Sequence, residues 1–229
     1  MSVTAPDGFI ASGVAAGIKA SGAQDVALVV NSGPEDVVAG VFTSNRFAAA
    51  PVLWSQQVVA DGSARAVVVN SGGANACTGP EGFADTHQTA EFVAESLQRN
   101  GFDIGAGDVV VCSTGLIGER LPMDLLLGGV EAAAAVLVAE GSTAARAIMT
   151  TDSVPKVTRV EADEFTIGGM AKGAGMLAPG LATMIVVLTT DASLSSEVAA
   201  RSLALASRMT FDRIDSDGCM STNDTVVLM

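Results

Sequence analysis

Short runs of apolar residues, many of them β-branched and each ended by a turn signal, most narrowly limit how this chain can fold. The clearest runs are DVALVV (25–30), ARAVVVN (64–70), DVVVC (108–112) and the segment Met184 to Thr190. Such runs are typical of buried strands. DVVAGVF (36–42) follows the first run across the turn 31–34, and VTRVEADEFTIGG (157–169) resembles a hairpin. At least seven strands are therefore expected, counting two in the hairpin.

Between these runs the pattern is that of amphipathic helices. Helices are predicted over residues 81–100, 122–140 and 194–209. Gly101 and Gly141 follow the first two, and Ser193 or Ser195 is the expected N-cap of the third, with Glu197 in its first turn. Strands and helices that alternate in this mixed order predict an α/β protein, with layered mixed sheets covered by helices.

The charge of the chain limits its partners. The net charge is −13 and the sequence pI is about 4.3, with no basic run. These values argue against nucleic acid and against an anionic membrane surface. No apolar run reaches the roughly 18 residues of a membrane span. The opening MSVTAPDGFI lacks the pattern of a secretory signal, so we expect a cytoplasmic protein.

The sequence gives little support for a metal site or for a catalytic cysteine. Cys77, Cys112 and Cys219 are far apart and form no Cys-x-x-Cys motif, as expected for free thiols in a reducing cytosol. The single histidine, His87, lies on the side of the predicted helix 81–100. A zinc site built from several histidines or cysteines is excluded, and no cofactor is expected.

Two glycine-rich segments are candidates for a functional site. GGMAKGAG (168–175) is not a phosphate-binding loop, because that motif needs Gly-Lys-Ser/Thr and Lys172 here precedes Gly173. STGLIG (113–118) follows a predicted strand. Its backbone amides could hold an anion or a developing oxyanion, although such a segment can equally be an ordinary turn.

Thr183 stands between the glycine-rich segment that begins at Gly168 and a buried run. A threonine hydroxyl needs a nearby base to be a nucleophile. The α-amino group of Thr183 itself, with an ordinary pKa of about 8, would serve if the Ala182–Thr183 bond were cut. The hydroxyl can make that cut by attacking the preceding carbonyl, which gives an ester that water hydrolyses. The alternative is a strand-start residue with no catalytic role.

Six ordered blocks of sequence then resemble the motifs of the ornithine acetyltransferase family, the bifunctional glutamate N-acetyltransferases of arginine biosynthesis. The blocks are NSGGANACTG, CSTGLIGERLPM, AIMTTDSVPK, GGMAKGAGMLAP, LATMIVVLTTD and STNDTVVL. The resemblance runs from about Gly8 to the last residue. It implies an α/β sandwich of the type shared with self-cleaving aminopeptidases.

The resemblance also implies an activity. Family members cut themselves before the threonine of an Ala-Thr-Met sequence, which here gives an upstream chain 1–182 and a downstream chain from residue 183. Thr183 would take the acetyl group of N-acetylornithine and pass it to glutamate in a ping-pong reaction. Some members also accept acetyl-CoA. Two upstream and two downstream chains would form a heterotetramer.

Site residues are implied in the same way. Thr114 and Gly115 would supply the oxyanion hole, and Thr150, Lys172 and Thr183 would contact the substrate. The physical interpretation agrees with these roles, because an acyl-threonine needs neither metal nor cofactor, and Lys172 would attract a substrate carboxylate in an acidic protein.

Other interpretations remain open at this point. Family members continue past STNDTVVL with a glutamate that binds the substrate amine and an asparagine near the C-terminus, and neither has a counterpart here. The final NDTVVLM is a strand pattern that stops in mid-element. We therefore expect a fragment, or a chain completed by another polypeptide, that is inactive alone. An N-terminal-nucleophile amidase or aminopeptidase of related fold is the other candidate, as is a non-catalytic remnant that assembles with full-length partners.

Overall fold

Two mixed sheets and five helices make up the described part of the chain. The computed structural model describes residues 2–174, 183–214 and 219–229. The strands are β1 (Phe9–Val14), β2 (Val26–Asn31), β3 (Ala39–Phe42), β4 (Ala66–Asn70), β5 (Val109–Ser113), β6 (Lys156–Glu161), β7 (Thr166–Lys172), β8 (Ile185–Thr190) and β9 (Thr225–Leu228). The helices are α1 (Ala50–Val58), α2 (Gly79–Arg99), α3 (Met123–Ala135), α4 (Ser142–Ala147) and α5 (Ser196–Met209).

The first sheet has the strand order β1-β2-β4-β5, and the second has the order β3-β9-β8-β7-β6. Neighbouring strands are antiparallel except for β4–β5 and β8–β9, which are parallel. Each parallel pair is joined by a segment that contains a helix, as parallel strands require. The prediction of mixed sheets is confirmed.

Strands of the first sheet are buried on both faces. Along β2, Ala27 and Val29 belong to the core between the two sheets, whereas Leu28 and Val30 pack with α2 and α3. The second sheet alternates in the same way, because Ile185 and Val187 face the central core and Val186 packs with α5. The layers therefore run helices, sheet, sheet, helix, which explains why these runs are continuously apolar.

Several predicted elements differ from the observed ones. The predicted helix 122–140 ends at Ala135, because Val138 instead pairs with Ala11 through two backbone hydrogen bonds, of 2.9 and 3.1 Å. β1, α1 and α4 were not predicted. The predicted strands 25–30 and 36–42 do not pair with each other: β2 lies in the first sheet and β3 in the second. Of the predicted caps, Ser195 accepts a hydrogen bond from the N–H of Val198.

The final strand is not a dangling element. β9 lies inside the second sheet between β3 and β8, and the N–H of Met229 donates to the carbonyl of Leu188 at 3.0 Å. β8 and β9, which follow residue 182, therefore lie between β7 and β3, which precede it. Among the described residues no helix combines the length and apolarity needed to cross a membrane.

Candidate functional site

The segments singled out by the sequence meet where β5 and β7 end and where β8 begins. Lys172, the last residue of β7, donates a hydrogen bond from Nζ to Oγ1 of Thr114 at 3.1 Å. Both residues are buried. Thr114 follows the first sheet and Lys172 ends a strand of the second, so this bond connects the two sheets at the candidate site.

The turn after β5 has a backbone amide available at Gly115. The N–H of Thr114 already donates to the carbonyl of Asn70 at 3.0 Å. No acceptor for the N–H of Gly115 exists in the part of the chain that the structure describes. The Thr114 hydroxyl accepts from Lys172 and keeps its own proton to donate. The Thr114 hydroxyl and the Gly115 amide are therefore both available as donors in this turn.

Close packing fixes this turn. Gly115 has φ +135°, and a Cβ there would lie 2.8 Å from N and 2.9 Å from Cα of Gly73. Residue 73 also forms backbone bridges with Thr114 and Leu116. The glycines of NSGGANACTG therefore let the turn after β4 approach the turn after β5 more closely than side chains would permit.

Lys172 is a buried cation and not a surface lysine. Its side chain is 1% exposed. Burial lowers its pKa to about 8, although the charges of Asp152 and Asp224 act in the opposite direction. At neutral pH the ammonium group is therefore largely charged, yet the free-energy cost of its losing a proton is small.

Asp152 ties the end of β7 to the segment that carries Thr150. Its carboxylate accepts hydrogen bonds from the N–H of Gly173 at 2.8 Å and from the N–H of Thr150 at 3.2 Å, and it pairs with Lys156. Burial alone would raise the pKa of Asp152, but these hydrogen bonds outweigh it and lower the pKa. The carboxylate therefore stays ionised near Lys172.

A cavity of about 230 Å³ opens beside the turn after β5. It is lined by Lys19, Ser71, Gly72, Thr114, Gly115, Leu116, Thr150 and Thr151. The Oγ1 atom of Thr150 is buried and has no hydrogen-bond partner among the described residues. Lys19 donates from Nζ to the carbonyls of Gln24 and Met149. An unpaired buried hydroxyl beside an ammonium group can bind a polar ligand.

Thr183 reaches the site from the start of β8. It is 6% exposed, and its Oγ1 lies 2.9 Å from Oγ of Ser221. The adjacent N–H of Met184 donates to Asp224 at 2.8 Å. Ala182, the other residue of the predicted cleavage bond, lies outside the described residues.

The turn before β9 is hydrogen-bonded to the turns that follow two strands of the first sheet. Asn223 is buried and donates from Nδ2 to the carbonyls of Ala74 at 2.7 Å and Ser113 at 2.9 Å. It therefore bridges the turns that follow β4 and β5. Asn223, Ser221 and Asp224 received no role in the sequence analysis, and neither did Asp152 or Lys19. The signal in the sequence was a cluster of polar residues immediately before the apolar run of β9. Thr183 has the same position relative to the apolar run of β8.

The sequence analysis gave no role to the histidine or to the cysteines. His87 is half exposed on α2, near Glu91 and Trp54. Burial raises the pKa of the Cys112 thiol to about 12, so that thiol is unreactive. Across the described ranges, no three of His, Cys, Asp and Glu lie close enough to hold a metal ion.

The chain is similar in sequence to known proteins over its whole length. The chain is 65% identical over 230 residues to the arginine biosynthesis bifunctional protein ArgJ of Streptomyces coelicolor; the match covers 100% of this chain and 59% of that protein. The chain thus spans well under two thirds of the relative's length.

The fold of this chain is also similar to that of solved structures. Ornithine acetyltransferase from Mycobacterium tuberculosis, complexed with ornithine, matches with TM-score 0.76 and 62% identity over 79% of this chain and 95% of that one. An L-aminopeptidase D-Ala-esterase/amidase from Ochrobactrum anthropi, described as a variant of the Ntn hydrolase fold, matches with TM-score 0.53 and 17% identity over 99% of this chain and 72% of that one. The second likeness shows the fold alone and confirms the predicted sandwich type.

The ArgJ family profile matches residues 10–229, nearly the whole chain. With that match and 65% identity to a member, the chain belongs to the ArgJ family.

Proposed function

We propose that this chain carries the nucleophile and oxyanion hole of an acetyltransferase that moves the acetyl group of N-acetylornithine to glutamate. One observation carries the proposal: the Lys172–Thr114 hydrogen bond and the free Gly115 amide lie where β5 and β7 end, and Thr183 lies two residues before β8, the neighbour of β7. A hydroxyl nucleophile beside two free donors and a buried cation is suited to acyl transfer. The ornithine bound to the M. tuberculosis relative supports the substrate class.

The proposed reaction begins with cleavage of the Ala182–Thr183 bond, which divides the chain into 1–182 and 183–229. The new α-amine of Thr183 then acts as the base for its own hydroxyl. Thr183 attacks the acetyl carbonyl of N-acetylornithine, and Thr114 and Gly115 stabilise the oxyanion. Ornithine leaves, and the amine of glutamate attacks the acetyl-threonine to give N-acetylglutamate and free Thr183.

Substrate binding is assigned to the cavity and to Lys172. The free hydroxyl of Thr150 would bond to the substrate, and the Lys172 ammonium would attract its carboxylate. Acetyl-CoA as an alternative donor is part of the proposal, as are a heterotetramer of two upstream and two downstream chains and a cytoplasmic location.

Intact mass and N-terminal sequencing of the purified chain test the first step. We expect a new N-terminus at Thr183, and none in Thr183→Ala. A single uncut chain would contradict the proposal.

The second test is incubation with N-acetylornithine, with and without glutamate. Transfer predicts one acetyl group on the peptide that begins with Thr183, and N-acetylglutamate only when glutamate is present. Release of acetate without an acceptor would identify an amidase instead. Adding the polypeptide that corresponds to the remaining length of the relatives tests whether residues 1–229 need it for turnover.

A further inference from the structure

Ser221 connects the hydroxyl of Thr183 to a carboxylate. Oγ of Ser221 lies 2.9 Å from Oγ1 of Thr183 and accepts a hydrogen bond from the N–H of Asn223 at 3.0 Å. Asp224 lies three residues further on, and hydrogen bonding from the backbone N–H and the hydroxyl of Ser221 acts to lower the pKa of its carboxyl group. Three oxygen-bearing side chains thus form a continuous chain that ends at Thr183.

The Thr183–Ser221 contact allows either hydroxyl to donate, and its direction follows once Ser221 donates to Asp224. A serine hydroxyl has one proton to donate and two lone pairs to accept. Ser221 gives its proton to the Asp224 carboxylate, which can only accept while ionised. The lone pairs of Ser221 then accept from Asn223 and from Thr183, so Thr183 is the donor in their shared bond. The lone pairs of Thr183 Oγ1 are left free for attack.

The proposed function leaves one step without a base. After cleavage the α-amine of Thr183 can take up the hydroxyl proton, but before cleavage that nitrogen is an amide and cannot. We propose that Ser221 and Asp224 form a proton relay that activates the Thr183 hydroxyl for cleavage of the bond before it. This inference rests on the self-cleavage put forward above.

The proton and bond changes of this step balance. Thr183 passes its hydroxyl proton to Ser221 while Ser221 passes its own to Asp224, and the Thr183 oxygen bonds to the carbonyl carbon of Ala182. The carbon–nitrogen bond then breaks, and the Thr183 nitrogen receives the proton back from Asp224 through Ser221. Water hydrolyses the ester, which leaves a carboxyl group on Ala182 and restores the hydroxyl of Thr183.

The surroundings of Asp224 suit a proton acceptor. Burial raises its pKa above the ordinary value, against the hydrogen bonds from Met184 and Ser221 and the charge of Lys172. A carboxylate with a raised pKa takes up a proton more readily. Besides Lys172, the ionisable side chains that face it are Asp212 and Cys219, which line the same cavity of about 550 Å³.

A structural role for Asp224 makes a different prediction. Its Oδ1 also accepts from the N–H of Met184 and so fixes the start of β8. Asp224→Asn keeps an oxygen for that bond but removes the proton acceptor. Ser221→Ala removes the relay hydroxyl, and Ser221→Thr restores one. Asp191→Asn is a matched control, because Asp191 is an exposed carboxylate just past the other end of β8 that accepts from Asp7 and Thr166.

The experiment follows cleavage of the full chain made by cell-free synthesis, with intact mass recorded over time from pH 5 to 9 and folding checked by circular dichroism. We expect Asp224→Asn and Ser221→Ala to cleave at least ~100-fold more slowly, the lower end of general-base effects. The Asp191→Asn and Ser221→Thr chains should stay near the unsubstituted rate. The unsubstituted rate should rise with pH through the pKa of Asp224, and Asp224→Asn should lose that rise.

Each outcome decides the question. Cleavage of Asp224→Asn and Ser221→Ala at the unsubstituted rate overturns the relay and leaves the proposed function standing. An unsubstituted chain that stays intact overturns both. If Asp224→Asn does not fold, Asp224→Glu replaces it: slowed cleavage that keeps its dependence on pH supports the relay, and cleavage without that dependence overturns it.

Discussion

Replacing Gly115 by alanine tests whether the close approach of two glycine-rich turns builds the candidate oxyanion site. A Cβ at Gly115 would lie 2.8–2.9 Å from backbone atoms of Gly72 and Gly73, which cannot rotate away. Gly118 lies in the same turn with φ +89°, but a Cβ there would meet nothing within 4 Å. Gly118→Ala therefore measures the backbone strain alone, and Gly115→Ala measures strain plus collision.

The two free-energy losses follow from these contacts. A non-glycine residue with positive φ costs about 1–2 kcal/mol. Forcing extra atoms into a packed region adds about 1–3 kcal/mol. We expect Gly118→Ala to lower the free energy of unfolding by about 1–2 kcal/mol and Gly115→Ala by about 2–5 kcal/mol. Gly115→Ala should also lose acyl transfer, because the amide of residue 115 shifts.

Urea unfolding followed by circular dichroism measures both losses of unfolding free energy. The comparison requires that the slope of this free energy against urea concentration be the same in all the proteins. Acetylation of Thr183 by N-acetylornithine gives the functional readout for the same proteins. Equal losses for the two variants, within about 0.5 kcal/mol, would refute the reasoning, because the collision would then contribute nothing.

Three further predictions concern charge, capping and assembly. Because burial lowers the pKa of Lys172 to about 8 from 10.5, the unfolded chain binds more protons between these values. The unsubstituted protein should therefore gain stability relative to Lys172→Met as pH rises from 8 to 10 in urea titrations. Ser195→Ala should lower the free energy of unfolding by about 1 kcal/mol, since it removes the N-cap of α5; no change in the urea midpoint would contradict this. After cleavage, 1–182 and 183–229 should elute together in native gel filtration and separate in denaturant, because β8 and β9 are hydrogen-bonded to β7 and β3; native separation would contradict it.

Local features of the fold were predictable from the sequence, and long-range ones were not. The apolar runs became β2, β4, β5 and β8, because β-branched residues buried on both faces leave an unambiguous pattern. The end of α3 was not predictable, because the alanine-rich segment favours a helix until the backbone pairing of Val138 with Ala11 overrides it. Assignment of β2 and β3 to different sheets depends on partners distant in the chain.

In the candidate site, too, the local features were predictable and the long-range contacts were not. Lys172, Thr183 and the turn STGLIG were found through their glycine-rich and apolar contexts, which are local, whereas the role of Thr114 came only from the resemblance to the family. Ser221 was not found, because it meets Thr183 only across 38 residues, where the segments leading into the parallel strands β8 and β9 lie side by side. Sequence reasoning can identify a polar cluster before a strand, but the pairing of strands decides which hydroxyl it contacts.

The bonds that build the site run between the sheets as well as within them. Lys172 reaches from β7 to Thr114 beyond β5, and Asn223 reaches from the start of β9 to the carbonyls of Ala74 and Ser113. Both contacts exist only when the two sheets are stacked at their final distance. The turn after β5 and the hydroxyl of Thr183 therefore take their positions in the same event, and on the proposed mechanism cleavage must follow folding. A precursor that is still unfolded has neither the relay nor the oxyanion donors, so the Ala182–Thr183 bond in it should be as stable as any other peptide bond.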